Sequence, residues 1–346
     1  MSRNTKTAAV FIAIVSIALP FAANPKKRSG TRNQRNETPQ NAPKVLWRKP
    51  ADISARDLFY GPGGKEDQPG ITYTFLKEDL KGSHPKFDVR DQNGVKWRAK
   101  LGAEARPETV ASRLVWAVGY YTNEDYFLPV LRVRNMPRLQ RGQNLVSPDG
   151  SITNLRLKRY LKDEKKIALW RWHRNPFVGT RELNGLRVMM ALINNWDLKD
   201  DNNSVYEEQA GASSGSAELR YMVSDLGASF GTTGRSWTPT RSRGDLNSYR
   251  HSKFITKITD DYVDFRTPSR PALLFIFNPV ALIMHLRLHW IGQHIPRSDA
   301  KWVGQLLAQL SPDQIGDAFR AAGYSPQEVD AFTSLVRERI DELSKL

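Results

Sequence analysis

Cysteine is absent from all 346 residues. That removes disulfides, thiolate metal sites and a lipid-modified cysteine anchor. Stability must therefore come from a core, and 40% hydrophobic residues with nine tryptophans supply one and argue against general disorder. No Gly-x-Ser-x-Gly elbow is present, so serine nucleophile chemistry finds no support. The glycine cluster "YGPGG" at 60–64 does not run into Lys-Ser/Thr and is not a phosphate loop of the P-loop type. No internal repeat is visible. The longest apolar run, "TAAVFIAIVSIALPFAA", has about sixteen mostly apolar residues, short of the roughly 20 that a membrane-spanning helix needs.

Acidic residues are scarce at the N-terminus. Residues 1–49 hold ten Lys/Arg and one Glu, a net +9, and the remainder carries only +7 of the total +16. The basic balance is thus partly a property of one segment and does not describe a nucleic-acid-binding surface on the folded part. Arg3 and Lys6 precede the apolar run, so residues 1–23 read as an export signal peptide or membrane anchor. Residues 24–50 are polar, basic and proline-bearing and read as a flexible linker. The expected location is exported (periplasmic or extracellular) or tethered to the membrane.

Strands are expected at "ITYTFL", "KFDV" and "VKWRAKL", the last after Asn93-Gly94, a strong hairpin signal. A helix follows from Pro107, with an apolar face of Val110, Leu114, Val115 and Val118. "DYFLPVLRV" and "SITNLRLKRYL" read as further strands. "TRELNGLRVMMALINNW" reads as a helix with Leu183, Leu186, Met190 and Ile193 inward, followed by a hairpin of "NSVYE" and "LRYMVSDLG". Residues 228–270 show no clear period, and the rest reads as helices, two of them opened by Ser-Pro. The expected fold is α+β, with a sheet-rich N-lobe over 51–165 and a helical C-lobe over 166–346.

Within this frame stands "NNWDLKDDNN" at 194–203. Asp197 is followed five residues later by Asn202 and twenty-eight residues later by Asp225, which ends an apolar strand before Leu226-Gly227. Lys100 ends the third strand, and Glu108 lies in the first turn of the next helix. A metal-bound nucleoside triphosphate needs hard oxygen ligands, a cation for its phosphates and a carboxylate near the attacking hydroxyl. Asp225 and Asn202 suit the metal, Lys100 the phosphates with Glu108 holding it, and Asp197 the hydroxyl. Lys96 points to the same side of its strand as Lys100, and Glu104 rivals Glu108 as partner.

These residues resemble the protein-kinase-like superfamily. "WDLKDDN" resembles the kinase catalytic loop, with Trp196 where many members carry Arg, and "SDLG" resembles the Asp-Phe-Gly element with Leu226 for Phe. "GSHPKFDVRDQNGVKWRAKLG" resembles the compact atypical branch of HipA-like kinases, where a short Gly-Ser/Ala-x-x-Lys turn replaces a long glycine-rich loop. The resemblance implies a two-lobed protein-kinase-like fold with ATP between the lobes and Mg²⁺. It implies Asp197 as catalytic base, Asn202 and Asp225 as metal ligands, and Lys100 on phosphate with Glu108. Gly82, Ser83 and Lys86 would line the phosphate turn. The implied partners are ATP and a hydroxyl-bearing acceptor that no motif identifies.

Two other functions fit the same residues: a catalytically inactive pseudokinase-like scaffold in the cell envelope, and an envelope protein that binds a cation structurally. His285 and His289 stand four apart without a following Glu and read as ordinary histidines. The tryptophans of "LWRWHRNPF" read as packing between the lobes. "RSWTPTRSRG" lies where kinases carry the activation segment and reads equally as a solvated loop or a site for an acidic acceptor.

Overall fold

A computed structural model describes residues 42–82, 84–208, 217–232, 242–267 and 288–346. The expected export segment at 1–23 and most of the expected linker lie outside these residues. Among the described residues, no helix is long and apolar enough to cross a membrane.

The N-terminal half is built on a closed barrel. Strands β2 (Tyr73–Glu78), β3 (Lys86–Asp91), β4 (Lys96–Leu101), β5 (Asp125–Arg134) and β6 (Ser151–Arg159) close in the order β2-β3-β4-β6-β5. Alternation sorts their side chains. Phe87, Val89, Trp97, Ala99, Leu101, Leu155 and Leu157 fill the interior, all 1% exposed or less. Their neighbours Lys86, Asp88, Arg98, Lys100, Arg156 and Lys158 face outward. At the β3–β4 turn the expected Asn93-Gly94 pair is used as such: Gly94 takes φ 80°, and Asp91 Oδ1 accepts from the Asn93 and Val95 amides, each at 2.9 Å.

Helix α1 (Ala105–Ala117) lies against the outside of β5 and β6. One side is polar and meets the outward barrel cations. The other carries Val110, Leu114, Val115 and, just past its end, Val118, all buried in the larger apolar cluster as their spacing predicts. That cluster also takes Met189, Met190 and Leu186 of α2 (Arg181–Leu192), Val303 and Leu307 of α4 (Arg297–Leu307), Phe319 of α5 (Pro312–Ala321) and Phe332 and Ile340 of α6 (Pro326–Ser344). Phe319 and Phe332 stack at 4.8 Å between centroids. Burying each such side chain contributes about 1.5–3 kcal/mol. Ser311 and Ser325 cap α5 and α6 with complete capping boxes to Gln314 and Glu328, as Ser-Pro at both starts predicts. Trp170 and Trp172 are buried in the same cluster.

The architecture is α+β and two-lobed, with sheet before helix. Four features differ from expectation. The linker does not extend to residue 50: β1 (Lys44–Val45) pairs parallel with β9 (Glu218–Val223), Leu46 is buried, and Trp47 Nε1 donates to the Val118 carbonyl at 2.6 Å. Composition alone hid Leu46 and Trp47 among basic residues. The lobe boundary at 165 falls inside β7 (Glu164–Ala168), which pairs with β8 (Asn203–Glu208) in the sheet β1-β9-β8-β7. The aperiodic stretch after 228 contains α3 (Leu246–Arg250), β10 (Ile255–Ile258) and β11 (Tyr262–Phe265). In place of a helix running through 295, Ile295–Pro296 forms β12 beside β11. The start of that expected helix, with His285, lies outside the described residues.

Candidate functional site

Barrel register creates the site's electrostatic centre. Lys86 of β3 pairs with Lys100 of β4, and Lys100 pairs with Arg156 of β6, so three cations stand in one outward row. Such a row requires anions, and α1 and the β8–β9 hairpin bring them. Lys100 Nζ lies 3.0 Å from Glu108 Oε2, 2.7 Å from Glu104 Oε2 and 2.8 Å from Asp225 Oδ1. Glu108 Oε1 turns the other way to Arg156 Nη2 at 2.8 Å, and Arg156 Nη1 reaches Asp125 Oδ1 at 3.0 Å. Asp125 also accepts from the Ser112 hydroxyl on α1 at 2.9 Å. The seam between α1 and the barrel is therefore a continuous buried ionic chain, Asp225–Lys100–Glu108–Arg156–Asp125.

Burial acts against charge throughout this seam. It would lower the Lys100 pKa, but Glu108, Asp225 and Glu104 together outweigh it and raise it. Burial raises Glu108 to about 7, against the pull of Arg156 and Lys100. Burial also works to raise Asp225, yet Lys100 beside it brings it down to about 2. Lys100 is thus a permanent cation held among three carboxylates whose oxygens lie within 4.8 Å of one another.

Lys96 is not part of this set. It pairs with Asp88 Oδ2 at 3.3 Å and sits 4.2 Å from the centre of the Tyr160 ring. Of the two lysines left open by the strand pattern, the geometry puts Lys100 beside Glu108. The rival Glu104 is a partner as well as Glu108, not instead of it.

The stretch 194–203 is organised by its asparagines. Asn194 takes φ 52° and its Nδ2 donates to the Gly231 carbonyl, while Asn195, fully buried, accepts from the Asp197 amide at 2.9 Å. Asp197 is half-buried and its Oδ1 meets Lys199 Nζ at 2.8 Å. Asn202 Nδ2 donates to the Asp197 carbonyl at 2.6 Å, and the Asn202 carbonyl accepts from the Ser224 amide at 2.7 Å. The β8–β9 register, Asn203 opposite Val223, thereby sets Asn202 next to the turn that carries Asp225. Residues 209–216 of the loop between these strands lie outside the described set. Gly227 then passes so close to α1 that a Cβ there would stand 2.6 Å from Glu104 Cβ.

The expected phosphate turn is placed less directly. Gly82 takes φ 77° and its carbonyl accepts from Arg141 Nη1 at 2.8 Å. Lys86 leans to Asp79 at 3.8 Å, and burial lowers its pKa. His84 Nε2 reaches Glu104 Oε1 at 3.2 Å, which brings the turn over the Lys100 cluster. Ser83 lies outside the described residues.

Sequence spacing missed Arg156, Asp125, Lys199 and Arg243. Arg243 Nε lies 2.8 Å from Glu104 Oε1, and its guanidinium stands 4.8 Å from the centre of the Trp196 ring. Only the adjacency of Lys199 to Asp197 was visible locally. The other three arrive through barrel register or through a distant segment. His289 is exposed.

No family model matches the chain, and no curated protein matches it. Solved structures with a distant likeness to this chain include three kinases. A Helicobacter pylori proinflammatory kinase, CtkA, is 11% identical over 80% of this chain and 97% of its own, with a TM-score of 0.43. The Rio2 kinase of Chaetomium thermophilum, in an ADP/Mg²⁺-phosphoaspartate complex, is 10% identical over 78% of this chain and 72% of its own, with a TM-score of 0.31. The Golgi casein kinase is 11% identical over 79% of this chain and 75% of its own, with a TM-score of 0.29. At these values no residue's role carries over from them, and the roles below rest on this chain's own geometry.

Proposed function

We propose that this chain is a protein-kinase-like phosphotransferase that moves the γ-phosphoryl group of ATP to a hydroxyl acceptor. One observation carries the reading. Lys100 meets both Glu108 and Asp225, the latter 125 residues away, within 3.0 Å, with Asn202 one hydrogen bond from the Asp225 turn. A lysine ion-paired to a helix carboxylate, beside an aspartate and an asparagine, is the donor set that triphosphate and a hard cation require.

Lys100 is held ready by its carboxylates and neutralises phosphate charge. Asp225, ionised through most of the pH range, and the Asn202 carboxamide oxygen would hold Mg²⁺. When bound, Mg²⁺ would supply charge neutralisation to the triphosphate. Asp197 accepts the acceptor's proton. The acceptor oxygen forms a bond to the γ-phosphorus, the bond from that phosphorus to the β–γ bridging oxygen breaks, and ADP leaves. Lys199 Nζ, 2.8 Å from Asp197 Oδ1, steadies the carboxylate.

Two finer elements belong to the proposal. The compact HipA-like branch is supported by the short turn at Gly82–Lys86 between β2 and β3, where no long glycine-rich loop intervenes. Export or membrane tethering through residues 1–23 is supported by the apolar run after Arg3 and Lys6. The test of the function is thermal stabilisation by ATP with millimolar Mg²⁺, expected in the wild type and absent in Asp225→Ala, together with γ-phosphate turnover lost in Asp197→Ala. An unshifted melting temperature in the wild type overturns the reading. Stabilisation without turnover in either protein leaves a nucleotide-binding scaffold in its place.

A further inference from the structure

A cavity of about 650 Å³ opens at the start of α1. Its walls come from the β4–α1 turn, the β5–β6 connection, the Arg243–Gly244 segment and Tyr324 before α6. The charge of its lining is one-sided. Arg106 and Arg243 contribute guanidinium groups, and Asn144, Ser147, Thr153 and Asn154 contribute neutral hydrogen-bonding side chains. Among the described residues, no Asp or Glu lines it. Gly244 packs against α1 so closely that a Cβ there would lie 3.3 Å from Pro107 Cδ, and nearer still to the Tyr324 hydroxyl. Arg243, one residue earlier, thus enters beside the helical turn that carries Arg106.

Both arginines have carboxylate partners, and neither carboxylate lines the cavity. Arg106 Nη2 meets Glu328 Oε2 at 3.1 Å and the Gly323 carbonyl at 3.0 Å, its Nε donates to the Ala322 carbonyl, and its guanidinium stands 3.8 Å over the Tyr324 ring. Arg243 Nε meets Glu104 Oε1 at 2.8 Å, a carboxylate already shared with His84 and Lys100. Arg106 Nη1 and both Nη atoms of Arg243 have no hydrogen-bond or ion-pair partner among the described residues.

We propose that this cavity binds a phosphate monoester of a small organic molecule, with its phosphate on Arg106 and Arg243. A cation would face two guanidinium groups, and no carboxylate in the lining would receive it. Guanidinium forks match the oxygens of phosphate and carboxylate, and a pair of them balances a dianion better than a single carboxylate. Bare phosphate is too small for the space, whose volume lies within the roughly 300–1,000 Å³ of small-molecule pockets. Leu145, Val146 and Pro148 give the remaining wall an apolar surface for a carbon skeleton. Lys86, Lys100, Asn202 and Asp225 do not line this cavity, so the proposal stands independently of the phosphotransferase reading. It also gives a use to Arg243, which belongs to the stretch "RSWTPTRSRG".

The experiment titrates the full chain by calorimetry, without nucleotide and at low ionic strength. The probes are inorganic phosphate, glycerol 3-phosphate, ribose 5-phosphate and O-phosphoserine, with glycerol, ribose and serine as controls. At least one ester is expected to bind more tightly than inorganic phosphate, to weaken as NaCl is added, and to have a control that gives no binding heat. Arg106→Gln, checked for an intact melting transition, should lower that ester's affinity about tenfold or more, since a hydrogen bond to a charged group is lost. Asn154→Asp is the second variant. Its side chain is exposed, its φ of 53° is one that Asp tolerates, and the change sets a carboxylate in the wall. A similar fall is expected. Lys100→Met should keep the affinity, because Lys100 is not in this lining. Four outcomes overturn the proposal: no ester binds; inorganic phosphate binds as tightly as every ester; affinity is unchanged in both Arg106→Gln and Asn154→Asp; or affinity is lost in Lys100→Met alone, which puts the phosphate on the nucleotide cluster.

Discussion

Glu108 is held between two cations: Arg156 Nη2 stands 2.8 Å from one of its carboxylate oxygens and Lys100 Nζ 3.0 Å from the other. The glutamate therefore cannot follow one partner without leaving the other, and the position of Lys100 depends on an arginine that no nucleotide would touch. Arg156→Leu leaves Glu108 and Asp125 buried beside each other with one cation removed. Breaking a buried pair from one side costs about 3–5 kcal/mol. Urea denaturation is expected to show a loss of that size, and the Mg-ATP thermal shift of the surviving folded protein should be smaller than in the wild type.

Lys100 and Lys96 offer a comparison within one strand. Both face outward from the barrel, but only Lys100 meets Asp225. Lys100→Met is expected to abolish stabilisation by ATP and Mg²⁺, because the phosphates lose their cation. Lys96→Met should retain it, since Lys96 serves only the buried Asp88 carboxylate, which keeps Arg98 at 3.0 Å. Equal nucleotide response in the two variants would remove Lys100 from its role.

The difference between these lysines also marks what sequence reading can and cannot reach. Asp197, Asn202 and Asp225 are legible because one hairpin joins them, and an apolar helix and strand lead into them. Lys100 and Glu108 are legible because a strand runs straight into a helix. Arg156 is not, since its place beside Glu108 depends on β6 pairing with β4 across the intervening α1 and β5, and an outward arginine on a strand looks like any solvated one. Arg243 comes from a stretch with no periodicity at all. The β10–β11–β12 sheet is hidden for the same reason: its third strand is two residues long and pairs far along the chain from its partner. Leu46 and Trp47 show the converse, two core residues masked by a basic composition.

The Glu108 environment makes a pH prediction with a definite sign. Its folded pKa, raised to about 7 by burial, lies above the unfolded value of about 4.3. The folded state thus holds this proton more tightly than the unfolded chain. Its contribution is full below about pH 4.3 and is lost as pH rises toward 7. Urea midpoints measured from pH 5 to 8 should fall across that window for the wild type, and the Glu108→Gln variant should show a shallower fall. A steeper fall in the variant would contradict the assignment.

Gly227 tests the contact between the Asp225 turn and α1. It is not in a left-handed conformation, so alanine is acceptable to its backbone. The obstacle is steric, with Glu104 Cβ 2.6 Å from where the new methyl would sit. Gly227→Ala forces the turn away from α1 and should cost about 1–3 kcal/mol. It should also weaken Mg-ATP stabilisation, because Glu104 and Asp225 share Lys100. Gly150→Ala is the control: its new methyl would meet nothing within 4 Å, although its φ of 77° carries a backbone cost. That variant should lose stability without loss of nucleotide response.

Trp196 and Arg243 supply a reversible test. Where the resemblance leads one to expect an arginine beside the catalytic aspartate, this chain has a ring, and a distant arginine comes to lie over it at 4.8 Å. The same guanidinium also reaches Glu104 at 2.8 Å. Trp196→Arg therefore sets two guanidinium groups against each other and should destabilise the fold by more than the roughly 0.5–2 kcal/mol of a lost cation–π contact. Arg243→Gln alone removes that contact and one partner of Glu104, a moderate loss. Combining the two removes the repulsion, so the double variant should be more stable than Trp196→Arg by itself. A double-mutant cycle from urea denaturation reads this as a favourable coupling, and additive losses would show that the ring and the guanidinium are neighbours without energetic consequence.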